Sequence, residues 1–137
     1  MTITANRLMN SVLRRKMTEA GIDLTAEQWG VLVQLWNEGC MAQDELAHVA
    51  CVDKSSMSRL LSLMEDKGLV SRQVDPCNAR RKIIRATAKA QQLREQSLAV
   101  SINVLELALC DVSARDAEIC FHVLASVKRN LRKGESG

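Results

Sequence analysis

Apolar positions in this chain recur mostly at helical spacing and give way to short β-prone runs only near residues 69–74 and 81–86. Over residues 3–20, Leu8, Val12, Leu13 and Met17 form a partial stripe flanked by Arg14, Arg15 and Lys16, and Gly21 is a stop signal. Thr25 opens a second helix, with Gln28 completing a capping box. Trp29, Leu32, Val33 and Trp36 fall at i, i+3, i+4 and i+7, and Val31 and Leu35 widen that face. Opposite that face only a narrow polar strip remains, Glu27, Gln34, Asn37 and Glu38, so this helix is expected mid-core, with both tryptophans as core residues rather than a ligand platform. A short helix follows over Gln43–Ala50, with Leu46, Val49 and Ala50 inward and Asp44 and Glu45 in its first turn. Ala42, at its cap position, cannot cap through its side chain. After the tight connection Cys51-Val52, Asp53 is placed to N-cap the next helix. Met57, Leu60, Leu61 and Met64 are its buried stripe; Ser55, Ser58, Arg59 and Ser62 lie opposite. Gly68 ends it.

The runs LVSRQV (69–74) and RKIIRA (81–86) read as a hairpin whose six-residue tip, Asp75 to Arg80, contains turn-forming Pro76 and Asn78. Arg80, Arg81, Lys82 and Arg85 give it a cationic edge suited to a minor groove, where the potential is most negative. Thr87 restarts a helix to about Cys110, a span of roughly 36 Å. Its first half is polar on most sides. Its second half carries two stripes, Val100, Val104 and Leu107 on one side and Leu98, Ile102, Leu105 and Leu109 on another. One small domain can cover only one of them, which points to a partner subunit. Ser113, with Asp116 at N3, caps a last helix whose stripe is Ala117, Cys120, Phe121, Leu124, Val127 and Leu131. Lys128, Arg129, Arg132 and Lys133 near its end are read as compensation of the helix dipole rather than a second DNA site.

A short helix, a tight turn and a helix with a small-polar, basic face are a helix-turn-helix, and the hairpin makes it a winged helix. The expected fold is therefore mainly α, an α+β winged helix: helix-turn-helix, a two-stranded β-wing, and N- and C-terminal helices forming a dimerisation lobe. At 137 residues the chain is read as one domain, 1–137, with a reader lobe over 25–86 and dimerisation helices over 1–20 and 87–133. Aromatics are only 2%, so aliphatic side chains and Met must fill the core. Net charge is +3, but residues 54–85 hold eight Lys/Arg against three acids, a local surplus of five that leaves −2 elsewhere. Such a surplus is the footprint of an anion-binding face.

The five cysteines are odd in number and include no CxxC pair, the N-terminal stretch has no uninterrupted apolar core of a secretory signal, and no run approaches the roughly 20 apolar residues of a membrane span. The expected setting is cytoplasmic, with reduced thiols and no membrane. Cys40, His48 and Cys51 lie close in sequence, but their spacing is irregular and a fourth metal ligand is not evident. His122 beside the last stripe is read as structural. No acid/base pair, phosphate loop or nucleophile motif suggests an enzyme, and no cofactor is expected.

Four segments carry a resemblance to the MarR family of bacterial winged-helix regulators: LTAEQWGVL (24–32), QDELA (43–47), DKSSMSRLLSLMEDKGLVSR (53–72) and the wing DPCNARRKIIRAT (75–87). The resemblance implies a homodimer with interlocked terminal helices, whose recognition helices enter successive major grooves of a pseudo-palindromic operator. It places Ser55, Ser56, Ser58 and Arg59 in the major groove, Lys54 near the DNA backbone and Arg80 in the minor groove. Ser62, Arg72, Asn78, Arg81, Lys82 and Arg85 complete the expected DNA-binding set. This chain departs from the family pattern at Asn78 (commonly Asp), Ala79 (commonly Arg), Ala86 (usually Leu) and Ala90 (commonly Gly).

The expected function is sequence-specific binding of double-stranded DNA, as a repressor released by a small-molecule or oxidative signal. Relatives often respond to lipophilic or phenolic effectors, for which a chain with no Tyr and one Phe offers few stacking partners. Cys77 and Cys51 are the candidate redox-sensing thiols; the alternative is that the cysteines are small buried or incidental residues. The rival function is a winged-helix protein-interaction module without specific DNA binding.

Overall fold

The computed structural model describes residues 2–135. In order these form α1 (Thr2–Glu19), α2 (Ala26–Glu38), β1 (Cys40–Ala42), α3 (Gln43–Ala50), α4 (Lys54–Asp66), β2 (Val70–Asp75), β3 (Asn78–Ala86), α5 (Ala88–Ala108) and α6 (Ala114–Glu135). The chain divides into two compact units, Met1–Val104 and Leu105–Gly137.

In the first unit, Leu13 and Met17 of α1, Val31, Leu32 and Leu35 of α2, Leu46 of α3, Met57, Leu61 and Met64 of α4, and Val70 and Ile84 of the sheet share one core. The capping box of α2 is formed: the Gln28 N–H donates to Thr25 Oγ1 and the Thr25 N–H to Gln28 Oε1, both at 3.2 Å. The buried line of this helix is Gln28, Val31, Leu32 and Leu35, not Trp29, Leu32, Val33 and Trp36. Trp29 and Trp36 pack half-buried at the edge of the core. Aliphatic side chains let α2 approach its neighbours closely, whereas an indole on the central line would hold them apart.

Helix α3 has the expected bounds and, at Ala42, no side-chain cap. Leu46 and Ala47 are its buried residues; Val49 is half-buried and Ala50, expected inward, is exposed. The helix ends at Cys51 in the left-handed conformation, φ 56° and ψ 41°. The Val52 N–H donates to Ala47 O at 3.1 Å and the Cys51 N–H to His48 O at 3.2 Å, the pairing of a Schellman cap. This cap is the turn of the helix-turn-helix. Gly68 (φ 73°) closes α4 in the same manner, with the Leu69 N–H on Met64 O at 2.9 Å.

The two-stranded wing, β2 and β3, is present, and β1 joins it to make a three-stranded antiparallel sheet in the order β1-β3-β2. Met41 pairs with Ile84 and Ala42 with Ile83, so a three-residue strand before α3 ties the wing to the helices. The expected six-residue tip is replaced. Val74 pairs with Lys82 and Asp75 with Asn78, which leaves Pro76 and Cys77 as the turn and lets Ala79, Arg80 and Arg81 leave the ladder as a bulge.

The Thr87 N–H donates to Leu69 O, its hydroxyl donates to Gly68 O at 2.5 Å, and its Oγ1 accepts the Ala90 N–H at 3.2 Å, which starts α5. Ala90, Ser97 and Val104 are its buried residues. Leu98, Ile102 and Leu105 are exposed, and so is Leu107, which the sequence pattern grouped with Val104. In the second unit the Asp116 N–H donates to Ser113 Oγ at 3.1 Å and caps α6. Along that helix Phe121, Leu124, Val127 and Leu131 are all exposed.

A non-glycine residue in the left-handed region carries a conformational cost that glycine avoids. Cys51→Gly is therefore expected to raise stability by about 1 kcal/mol, and Cys51→Val to lower it, measured by urea unfolding. A Gly variant less stable than the parent would show that the thiol makes a compensating contact.

Candidate nucleic-acid interface

Burial of Met57, Leu61 and Met64 turns the serine face of α4 outward. Ser55 and Arg59 are exposed; Ser56, Ser58 and Ser62 are half-buried. Arg59 Nη2 donates to Ser56 Oγ at 3.3 Å. Asp53 occupies the N-cap position with extended backbone, but no side-chain bond from it to a first-turn N–H meets hydrogen-bond geometry. Instead its carboxylate accepts the Ser55 hydroxyl at 2.5 Å. Hydrogen bonding by Ser55 first, and by Ser56 second, holds the Asp53 carboxyl down at about 2. The charge therefore persists at the positive end of the α4 dipole.

Arg72, on β2, turns towards α4 rather than solvent. Its Nη2 donates to Ser62 Oγ at 2.7 Å and to Glu65 Oε1 at 3.2 Å, its Nη1 lies 3.5 Å from Ser58 O, and its side chain is only 14% exposed. The pair Arg72 and Ser62 thus braces the flank of α4 against the sheet. Lys67 does the same at the helix end: its Nζ donates to Gln28 Oε1 at 3.0 Å and lies 3.3 Å from Asp23 Oδ2. Asp23 also accepts from Arg14 at 3.0 Å, and the Arg14 and Lys67 bonds lower its pKa.

In the wing, Asp75 Oδ1 accepts the Cys77 N–H at 2.9 Å and Asn78 Oδ1 accepts the Arg80 N–H at 3.1 Å. Asn78 therefore shapes the backbone that carries Arg80. Arg81 reaches back to α3, where its Nη2 donates to Glu45 and its Nε lies 3.6 Å from Asp44 Oδ1. A concavity of about 320 Å³ is lined by Gln43, Asp44, Lys54, Asn78, Arg80, Arg81 and Lys82, so the start of α4 and the wing bulge present cations to one space. Arg85 is exposed but lies three residues from Lys82 along β3, on the opposite face of the strand.

All five cysteines are free thiols; Cys77 at the wing turn and Cys51 at the helix-turn-helix turn are both exposed. Among the described residues no three His, Cys, Asp or Glu side chains cluster as metal ligands, and no helix is long and apolar enough to cross a membrane. The sequence marks Asp44 and Glu45 only as dipole partners of α3. Their pairing with Arg81, 36 residues on from Glu45, has no local signature.

The Asp53 geometry sets a pH dependence. A folded-state pKa of about 2, below the ordinary 3.8, adds stability above 3.8 that is lost as pH falls through about 2. A carboxyl NMR titration of Ser55→Ala should move the Asp53 midpoint up towards 3.8; an unmoved midpoint would show that Ser55 is not its main partner.

Residues 24–82 match the model of the MarR family. The chain is 28% identical to the transcriptional regulator HosA of Escherichia coli O111:H- over 97 residues, 71% of this chain and 72% of that protein. It is 26% identical over 128 residues to YdgJ of Bacillus subtilis (strain 168), an uncharacterized HTH-type transcriptional regulator, across 93% of this chain and 77% of that one. Its fold is similar to that of a mutant MarR from E. coli complexed with operator DNA, with a TM-score of 0.83 at 22% identity over 92% of this chain and 89% of that chain. The match to the MarR family model lies across the helix-turn-helix and wing just described.

Proposed function

We propose that this chain is a transcriptional regulator of the MarR kind, which binds a pseudo-palindromic double-stranded DNA operator as a homodimer and acts as a repressor. The observation that carries the reading is the outward face of α4 beside a cationic concavity. Small hydroxyls at Ser55, Ser56 and Ser58 let the helix backbone come close to base edges, and Arg59 has the fork geometry to read a guanine. Lys54 contacts phosphate, and Arg80 on the bulge enters the minor groove. Lys82 and Arg85 add backbone contacts from the two faces of β3.

Dimerisation is supported by the exposed apolar residues of α1, α5 and α6: Leu8, Leu98, Ile102, Phe121, Leu124 and Leu131 are each more than a third exposed. A soluble monomer rarely leaves so much apolar surface in water. Two-fold symmetry then sets half-sites about 34–36 Å apart. Release by a small molecule is supported by an apolar cavity of about 270 Å³ between α2, α3 and α4, lined by Gly30, Val31, Leu46, Val49, Met57 and Leu60 among others. It lies behind the reading helix and suits an aliphatic or single-ring effector. For an oxidative signal the exposed thiols Cys77 and Cys51 are the candidates.

Selection of bound sequences from a random duplex pool, followed by anisotropy titrations, tests the reading. Arg59→Ala should cost about 1–3 kcal/mol and relax preference at one base pair of each half-site. Arg80→Ala should weaken operator binding without changing the melting temperature. Affinity indifferent to salt, or no binding to any duplex, would leave the protein-interaction module as the better reading. Leu124→Asp should convert a sedimenting dimer to monomer with helix content retained; a dimer that survives it places the interface elsewhere.

A further inference from the structure

The wing bulge lacks support from its own sheet. Ala79, Arg80 and Arg81 have no ladder partners on β2, and the Arg80 N–H is held by Asn78 of the same strand. The link from the bulge to the helix-turn-helix is the Arg81 guanidinium, which bridges two consecutive acids at the start of α3. Its Nη2 bonds Glu45, and its buried Nε faces Asp44 at 3.6 Å, a Coulombic contact rather than a hydrogen bond. The bulge also draws Arg80, Arg81 and Lys82 together with Lys54 around one concavity, where like charges repel. Asp44 and Glu45 supply the counter-charge.

We propose that Arg81 is a positioning residue rather than a DNA contact: Asp44 and Glu45 tether it to α3, and the tether fixes the bulge so that Arg80 is aimed at the DNA. The proposal rests on the DNA-binding reading above for its consequence, though not for the tether itself. A guanidinium fits the task because its planar fork can meet two carboxylates at once, which a lysine ammonium at the end of a flexible stem does less well. The acids stand beside a surface that must accept phosphates, so they oppose DNA binding by simple Coulomb attraction. Their benefit must come through geometry.

That opposition of signs makes the test sharp. If Arg81 were a phosphate contact, the double variant Asp44→Asn/Glu45→Gln would remove two negative charges, free Arg81 and tighten operator binding, with a steeper salt dependence. Arg81→Lys would then bind nearly as well as the parent. As a tether, the double variant, Arg81→Gln and Arg81→Lys should each lower the preference for operator over random duplex by about tenfold. Combining Asp44→Asn/Glu45→Gln with Arg81→Gln should lose no more than either alone. A tightened operator complex in the double variant overturns the proposal, and so does parent-like discrimination by Arg81→Lys.

Amide hydrogen exchange of residues 78–82 in the DNA-free protein reads the tether without DNA. Both Arg81→Gln and the double variant should speed it with the melting temperature unchanged, and unaltered exchange overturns the tether. Should the parent protein bind no duplex, the DNA-binding reading falls while the exchange result still decides whether the tether exists.

Discussion

Burial of Met57, Leu61 and Met64 fixes the rotation of α4 about its own axis, and the chemistry of the reader face depends on that rotation. A helix turned by one residue, 100°, would bury serine hydroxyls without partners and put methionines on the outward face. Three apolar side chains contributing about 2 kcal/mol each make the observed rotation the stable one. Polar ties then act as braces. Lys67 holds the C-terminal end of α4 to the α1–α2 connection through Asp23 and to the first turn of α2 through Gln28, and Arg72 holds its flank to β2 through Ser62 and Glu65. The exposed ends of these ion pairs add little stability, but Arg72 is mostly buried and its bonds set a geometry. Apolar burial chooses the face, and the cations choose where the helix sits against its neighbours.

Much of this was legible in the sequence because it is local. The Thr25–Gln28 box, the bounds of α3 and the 57/61/64 stripe all follow from residues within two turns of each other. What escaped is non-local or very short. Cys40–Ala42 is too brief to show an alternation, and it becomes a strand only because Ile83 to Arg85 lie alongside. The wing tip looked like a six-residue loop because turn residues end at Asn78, whereas pairing of Asp75 with Asn78 pulls the strands into it and expels Ala79 to Arg81 as a bulge. On α2 the helical period was right but the centre of the face was displaced, since spacing alone does not tell a leucine that fits the middle from a tryptophan that fits the edge.

The same division holds for charge. Eight basic residues between positions 54 and 85 look alike as sequence, yet the structure separates them. Lys67, Arg72 and Arg81 are each engaged by carboxylates of the protein. Lys54, Arg59, Arg80, Lys82 and Arg85 form no ion pair among the described residues and keep their charge for an anion. Counting lysines and arginines therefore overstates the electrostatic footprint, and the salt dependence of the proposed DNA complex should reflect the smaller set. Asn78 fits this economy of roles. In the family pattern an acid commonly stands there, and it would add a negative charge beside Arg80. Here a neutral amide holds the Arg80 backbone instead, while the negative charge that steadies the bulge comes from α3, through a different arginine. Because Asp44 and Glu45 sit on the helix that leads into the turn before α4, any shift of α3 against the core would be carried to the wing as well as to α4. In the proposed DNA complex, the contacts of α4 and of the wing would then be gained or lost together.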